Sequence, residues 1–132
     1  MLNPFPDLLV LSFSAPTIVR VAAAVLFVYA GYTHWHKREA IAATTFPIVG
    51  KGEWIAWLSI IFHFAIGAML FFGYYTQVAA LLGLVGSLKG LVLGKSYREV
   101  FVYSRATYLL LAAVCASLLL SGAGAFAFDL PL

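Results

Sequence analysis

Charge is what this sequence has least of. Lys+Arg number eight and Asp+Glu five, together 10% of the chain, where soluble domains carry about 25%. Against that, 64% of the residues are hydrophobic and the mean hydropathy is +1.00. At 132 residues the chain is one domain by length. A domain that small leaves a large share of its surface exposed, so water is a poor solvent for this composition and a lipid bilayer a natural one. The formal net charge of +3 comes from scattered residues with no dense basic run, which argues against a nucleic-acid partner.

Cysteine is nearly absent too. Cys115 is alone, so no internal disulfide and no CxxC redox or zinc motif exists, and the thiol reads as a small packing or lipid-facing residue. There is no GxGxxG, P-loop, HExxH or GxSxG, so the chain has no cofactor motif of its own. The opening MLNPFPDLLVLSFSAP lacks a basic first region and carries Pro4, Pro6 and Asp7, so a cleaved signal peptide is not expected.

Long apolar runs are abundant. A spanning helix needs about 20 mostly apolar residues. Four segments qualify, at about residues 16–32, 54–72, 75–93 and 100–120. An open sheet would leave backbone groups unpaired in hydrocarbon, so the fold class is all-α, an integral membrane four-helix bundle in one domain over residues 1–132. Ser14 and Pro16 suit the start of the first helix. A tight turn around Gly73 and Tyr74 makes the second and third spans antiparallel neighbours. In the longest connection, Pro47 and Gly50 break up AIAATTFPIV, which reads as an amphipathic or re-entrant piece at the interface.

Lys37, Arg38, Lys51, Lys95 and Arg98 all fall in the first and third connections, and none in the middle turn. The positive-inside rule puts those connections in the cytoplasm and both termini outside, in a multi-pass protein of the cell membrane. Trp35, Trp54 and Trp57 read as interfacial anchors. Helices in lipid approach closely through small residues. The third span offers Gly86, Gly90 and Gly94 in one row and Ala79, Gly83 and Ser87 beside it, a broad helix-packing face. Ala112, Ala116, Ala113, Ser117 and Ser121 give the fourth span similar stripes.

Ionisable groups at membrane depth are functional candidates. His63 lies mid-span in the second helix, suited to a proton relay, a quinone contact or a metal ligand, or to a simple hydrogen bond with a neighbouring carbonyl or hydroxyl. Arg20, Arg105 and Lys89 each lie about one turn inside a span and either snorkel or take anionic partners. The terminal GAGAFAFD suggests a partner for Arg20. Gly122 and Gly124 can take positive φ and turn the chain, Phe126 and Phe128 can anchor it, and Asp129 is expected to pair with Arg20. His34 and His36 sit near Glu39 and Glu53. Residues two apart face opposite sides of a helix, and His63 is read as too deep to join them, so no metal site is expected.

These residues, in this order, resemble the DoxX family of small four-span bacterial and archaeal membrane proteins. The first span opens with an arginine in APTIVRVAAAVLFVYAGYTHWHK, where Gly31 and Lys37 match. HFAIGAMLFFGYYTQVAAL is similar to the family's glycine-bounded apolar run and turn, and Gly122, Gly124 and Asp129 fit its terminal Gly-Pro-Gly-Arg-Tyr-Ser-Leu-Asp. The chain departs from the family at Ala123, Ala125 and Ala127, at Gln77 where a basic residue is usual, and at His63, where many members carry a glutamate. The resemblance implies association with membrane redox assemblies such as thiosulfate:quinone oxidoreductase. The expectation is a small membrane subunit of a quinone-linked assembly. It would bind no cofactor of its own beyond a possible quinone, contact lipid and other membrane subunits or further copies of itself, and draw electrons from a partner. A structural accessory subunit or an oligomeric small-molecule carrier are the alternatives.

Overall fold

A computed structural model describes residues 5–129, and within them the chain is all-α. A 3₁₀ segment, Pro6–Ser14, leads into α1 (Ala15–His36). Then come α2 (Arg38–Ala43), α3 (Glu53–Phe72), α4 (Thr76–Leu93) and α5 (Arg105–Ser121). α1 packs most extensively on α3 and α4 on α5, while α3 and α4 touch more sparingly than their tight turn suggests. The shared core joins Ala24 and Phe27 of α1, Ile66 and Leu70 of α3, Ala79 and Ala80 of α4, and Leu111, Cys115 and Leu118 of α5. Outside it, leucines, valines and phenylalanines stand exposed on every long helix, as lipid contact requires. The molecule is an all-α membrane bundle.

Three of the helices are long and apolar enough to cross a bilayer, the first as one run over Asp7–His36. α5 is a shorter apolar helix of 17 residues, at the lower limit of about 17–25 for a span. Its start corrects the expected 100–120. Residues 100–103 are not helical because Ser104 takes an extended conformation and its Oγ accepts the Thr107 N–H at 3.2 Å, a helix N-cap. The preceding segment drops beside the bundle instead. Val100 is buried, and the Tyr103 hydroxyl donates to the Leu26 carbonyl at 2.6 Å, about 15 Å along α1 from His36 at ~1.5 Å per residue.

Ser14 supplies no side-chain cap to α1. Its hydroxyl donates backwards to the Leu11 carbonyl, because the 3₁₀ segment already fills the turn that a cap would open. The long connection breaks at the expected residues. After α2, Phe46 and Gly50 exchange two backbone hydrogen bonds, 2.7 and 3.0 Å, around Pro47-Ile48-Val49. Phe46 tucks under with Ile41, Ile55, Ala56 and Val100 as a small second core at this basic end.

The glycine face of α4 is used unevenly. A Cβ on Gly83 would sit 2.9 Å from the Phe27 ring and 3.0 Å from Cys115 Sγ, and one on Gly90 would lie 2.5 Å from the Tyr108 ring. These two let α5 close on α4, and Gly83 also leaves room for the Phe27 ring reaching over from α1. Gly86 instead faces Phe62 of α3. Gly94 ends the helix, and its nearest atom is the carbonyl of Gly90 in its own backbone, so it belongs to no seam.

Candidate functional site

Two polar arrangements lie inside the bundle, one toward each end. The first grows from Gly31. A Cβ there would meet Phe64 at 3.1 Å and His63 Cβ at 3.3 Å, so the missing side chain sets the register between α1 and α3. One turn toward the basic end, i+3 on α1 is His34 and i−4 on antiparallel α3 is Ser59. The structure brings these together. His34 Nδ1 and Ser59 Oγ are 2.8 Å apart, and His63 Nδ1 donates to the Ser59 carbonyl at 2.7 Å. The two imidazoles meet edge to face, with centroids 4.5 Å apart at 79°.

This corrects the sequence expectation that His63 lies too deep to join the other histidines. α1 continues to His36 rather than ending near Tyr32, which carries His34 inside the bundle. His36 remains on the surface, bonded to the Tyr32 carbonyl at 3.1 Å. Glu39 and Glu53 are exposed as well, and no three His, Cys, Asp or Glu side chains gather among the described residues.

The hydrogen bonds fix part of the chemistry. A carbonyl only accepts, so the proton of neutral His63 is on Nδ1 and Nε2 keeps its lone pair. His63 is half-buried, against Phe27 and Phe62. His34 is 4% exposed and its Nε2 is buried without a partner among the described residues. The backbone of Val100 is the acceptor that neighbours this ring, outside full hydrogen-bond geometry. Beside the cluster, beyond Phe64, an apolar groove of about 730 Å³ runs between α1 and α3, from Val25 and Tyr29 to Gly67 and Phe71. His63 does not line it.

The second arrangement closes the other end. Gly122 and Gly124 take positive φ, 76° and 71°, and the tail turns back over the bundle as expected. Gly124 lies against Pro16 and Thr17, where a Cβ would be 2.9–3.0 Å from three atoms, and Thr17 Oγ1 donates to the Ala125 carbonyl at 2.5 Å. The Phe128 and Asp129 N–H groups donate to the carbonyls of Phe72 and Gly73.

Arg20 and Asp129 meet here, but not as the expected ion pair. Arg20 is 1% exposed and does not snorkel. Its Nη1 donates to the Leu70 carbonyl at 2.7 Å and that of Phe71 at 3.0 Å, its Nη2 to that of Phe126 at 3.2 Å, and its Nε has no partner among the described residues. Asp129 accepts the N–H of Tyr75 at 2.9 Å and of Thr76 at 2.5 Å. The physical reason is the α3–α4 turn. It leaves bare carbonyls at the end of α3 and bare N–H groups at the start of α4, with dipole charges of opposite sign. The cation takes the first and the carboxylate the second. Desolvation pushes the Asp129 carboxyl up, but the Thr76 and Tyr75 donors, with the field of Arg20, outweigh it and hold the group below its ordinary value.

Lys89 and Arg105 are exposed, on α4 and at the first residue of α5, without partners among the described residues. Sequence reasoning missed Ser59, His34 as a partner of His63, and Thr17. The i+3/i−4 spacing about Gly31 was the one available signal for the first two.

A buried polar pair within a lipid-exposed helical bundle, one end stitched by a returning tail, defines a small polytopic membrane protein. The DoxX family model matches residues 15–95, more than half of the chain, and the protein belongs to the DoxX family. The match spans α1 to the end of α4, so α5 and the tail lie outside it. No match was found among curated proteins or among solved structures.

Proposed function

We propose that this chain is a small four-span membrane subunit of a quinone-linked redox assembly, with His63 as the polar contact and proton acceptor. The observation that carries the reading is the His34–Ser59–His63 cluster, a free imidazole lone pair backed by a second imidazole in the interior of a membrane bundle. Interconversion of quinol and quinone moves two electrons and two protons. The electrons pass to or from a redox centre in a partner subunit, since this chain has no cofactor motif, and His63 Nε2 takes or returns one proton while the second exchanges with water at the membrane surface. Ser59 and His34 hold the ring in one tautomer and orientation. The groove beside Phe64 gives an apolar tail a seat of ordinary ligand size. The basic end would face the cytoplasm of a cell membrane, with both termini outside.

The test is native purification in mild detergent, with mass spectrometry of co-purifying proteins and extracted quinones, for the parent and His63→Leu. Stoichiometric quinone or oxidoreductase subunits with the parent, and at least ten-fold less quinone with the variant, are expected. A His63→Leu protein that keeps its stability and its partners, with no quinone in either sample, sinks the reading in favour of a structural accessory subunit. A homo-oligomer free of both sinks it in favour of a carrier.

A further inference from the structure

The basic end carries a pocket that neither the histidines nor the tail uses. Thr44, after α2, and Lys95 to Val100, after α4, enclose about 350 Å³, with hydroxyls and charged side chains among the lining. Two cations border it, Lys95 and Arg98. Both are exposed, and neither has a hydrogen bond or ion pair among the described residues. The neighbouring Lys37 ammonium donates to the Glu99 carbonyl at 3.2 Å, which brings a third cation to the same loop. Two unpaired cations with the Ser96 hydroxyl suit a phosphate group, whereas the Thr44 hydroxyl already donates to the Ala40 carbonyl at 2.7 Å. The Glu99 carboxylate is the one opposing charge in the lining.

A second feature says where that phosphate comes from. The turn Pro47-Ile48-Val49 next to the pocket is clamped shut by its two backbone hydrogen bonds, yet Ile48 is 95% exposed. Phe46 at its base meets Tyr97 of the pocket in a tilted ring contact, centroids 5.2 Å apart, so tip and pocket form one packed unit. The unit sits where α4 ends and α3 begins, at the point where the apolar helices stop. An apolar tip beside a phosphate-sized basic pocket matches the two halves of a phospholipid.

We propose that Lys95, Arg98 and Ser96 bind the phosphate of an anionic phospholipid at the basic end of the bundle, with Ile48 and Val49 seated in the acyl region beside it. The site does not depend on the quinone reading. A cation near an anionic surface contributes an affinity of about five-fold. The experiment titrates the full-length protein in detergent with phosphatidylglycerol and reads the bound lipid by native mass spectrometry. Lys95→Gln with Arg98→Gln should lose on the order of 25-fold, the product of two such factors. Arg38→Gln, at the same end but outside the pocket, should change little, and Ile48→Ser should weaken phosphatidylglycerol several-fold. All substituted residues are exposed, so circular dichroism should show unchanged folding. An equal loss with Arg38→Gln overturns the site and leaves a diffuse surface charge. Millimolar inorganic phosphate that displaces the lipid, with Ile48→Ser neutral, overturns the lipid assignment in favour of a soluble phosphate site.

Discussion

Removing Arg20 should cost more stability than removing any other polar side chain in this chain. Arg20→Met keeps an unbranched stem of similar length and deletes the donors. Three carbonyls then lose the guanidinium, those of Leu70, Phe71 and Phe126. Phe71 lies in the last turn of α3, where no helical N–H is available to replace the guanidinium, while Leu70 still accepts the Gly73 N–H at 3.3 Å. Hydrogen bonds to a charged group contribute about 1.5–3 kcal/mol each, and a buried acceptor left bare costs about 1–3 kcal/mol. Water reaches this end of the bundle and recovers part of that, so the net loss expected is about 3–5 kcal/mol. Asp129→Asn acts on the neighbouring helix end. It keeps one acceptor and loses a largely solvated charge, so the loss expected is about 1 kcal/mol. The two residues share the tail, and undocking it removes both contributions, so the double variant should lose less than the sum by about 0.5–1 kcal/mol. SDS titration in mixed micelles, followed by the fluorescence of Trp35, Trp54 and Trp57, measures all three. An Arg20→Met protein within 0.5 kcal/mol of the parent refutes the capping argument, since the smallest single contribution invoked is about 1 kcal/mol. If Asp129→Asn costs as much as Arg20→Met and the double no more than either, a direct ion pair holds the tail instead.

The same geometry sets a pH dependence. The folded Asp129 carboxyl is held below its ordinary value, so its stabilisation is fully present above an unfolded value of about 3.9 and is lost as pH falls through the lower folded one. Acid melting curves of the parent and Asp129→Asn should therefore converge below about pH 4. Gly90→Ala places a methyl 2.5–2.7 Å from three atoms of the Tyr108 ring and should cost about 1–3 kcal/mol, read in the same SDS titration. Gly86→Ala meets Phe62 at 3.2 Å, where a small ring shift suffices, and should fall within about 1 kcal/mol of the parent.

How much of this was legible depended on what the letters encode. Apolar run length located α1, α3 and α4, because twenty residues of hydrocarbon thickness is a property of composition. The same measure misplaced α5, since hydropathy reads Val100 to Tyr103 as more span while Ser104 starts the helix at Arg105. A serine three residues before Thr107 was the available cue. Four-residue spacing identified Gly83 and Gly90 as close-approach positions. It included Gly94 wrongly, because spacing carries no record of where a helix ends. The His34–His63 contact required the register of α1 on α3, which follows from two glycines, Gly67 of α3 against the backbone of Ala24 and Val28, and Gly31 of α1 against Phe64 and His63 Cβ.

The tail shows a deeper limit. Asp and Arg are visible as opposite charges, so a sequence suggests that they pair. Backbone carbonyls and N–H groups have no letter, yet a tight turn between two membrane helices gathers both kinds in one place and leaves them unsatisfied. A charge is a stronger partner than interfacial water, so these groups compete for the charges more strongly than the charges compete for each other. Arg20 therefore donates to the end of α3 and Asp129 accepts from the start of α4. Their attraction survives only as a field between two filled caps. The arrangement stays near electrical neutrality while leaving each charge on a helix end of opposite sign. Returning Asp129 by way of Gly122 and Gly124 is what makes it possible, because no residue within the α3–α4 turn carries a charge.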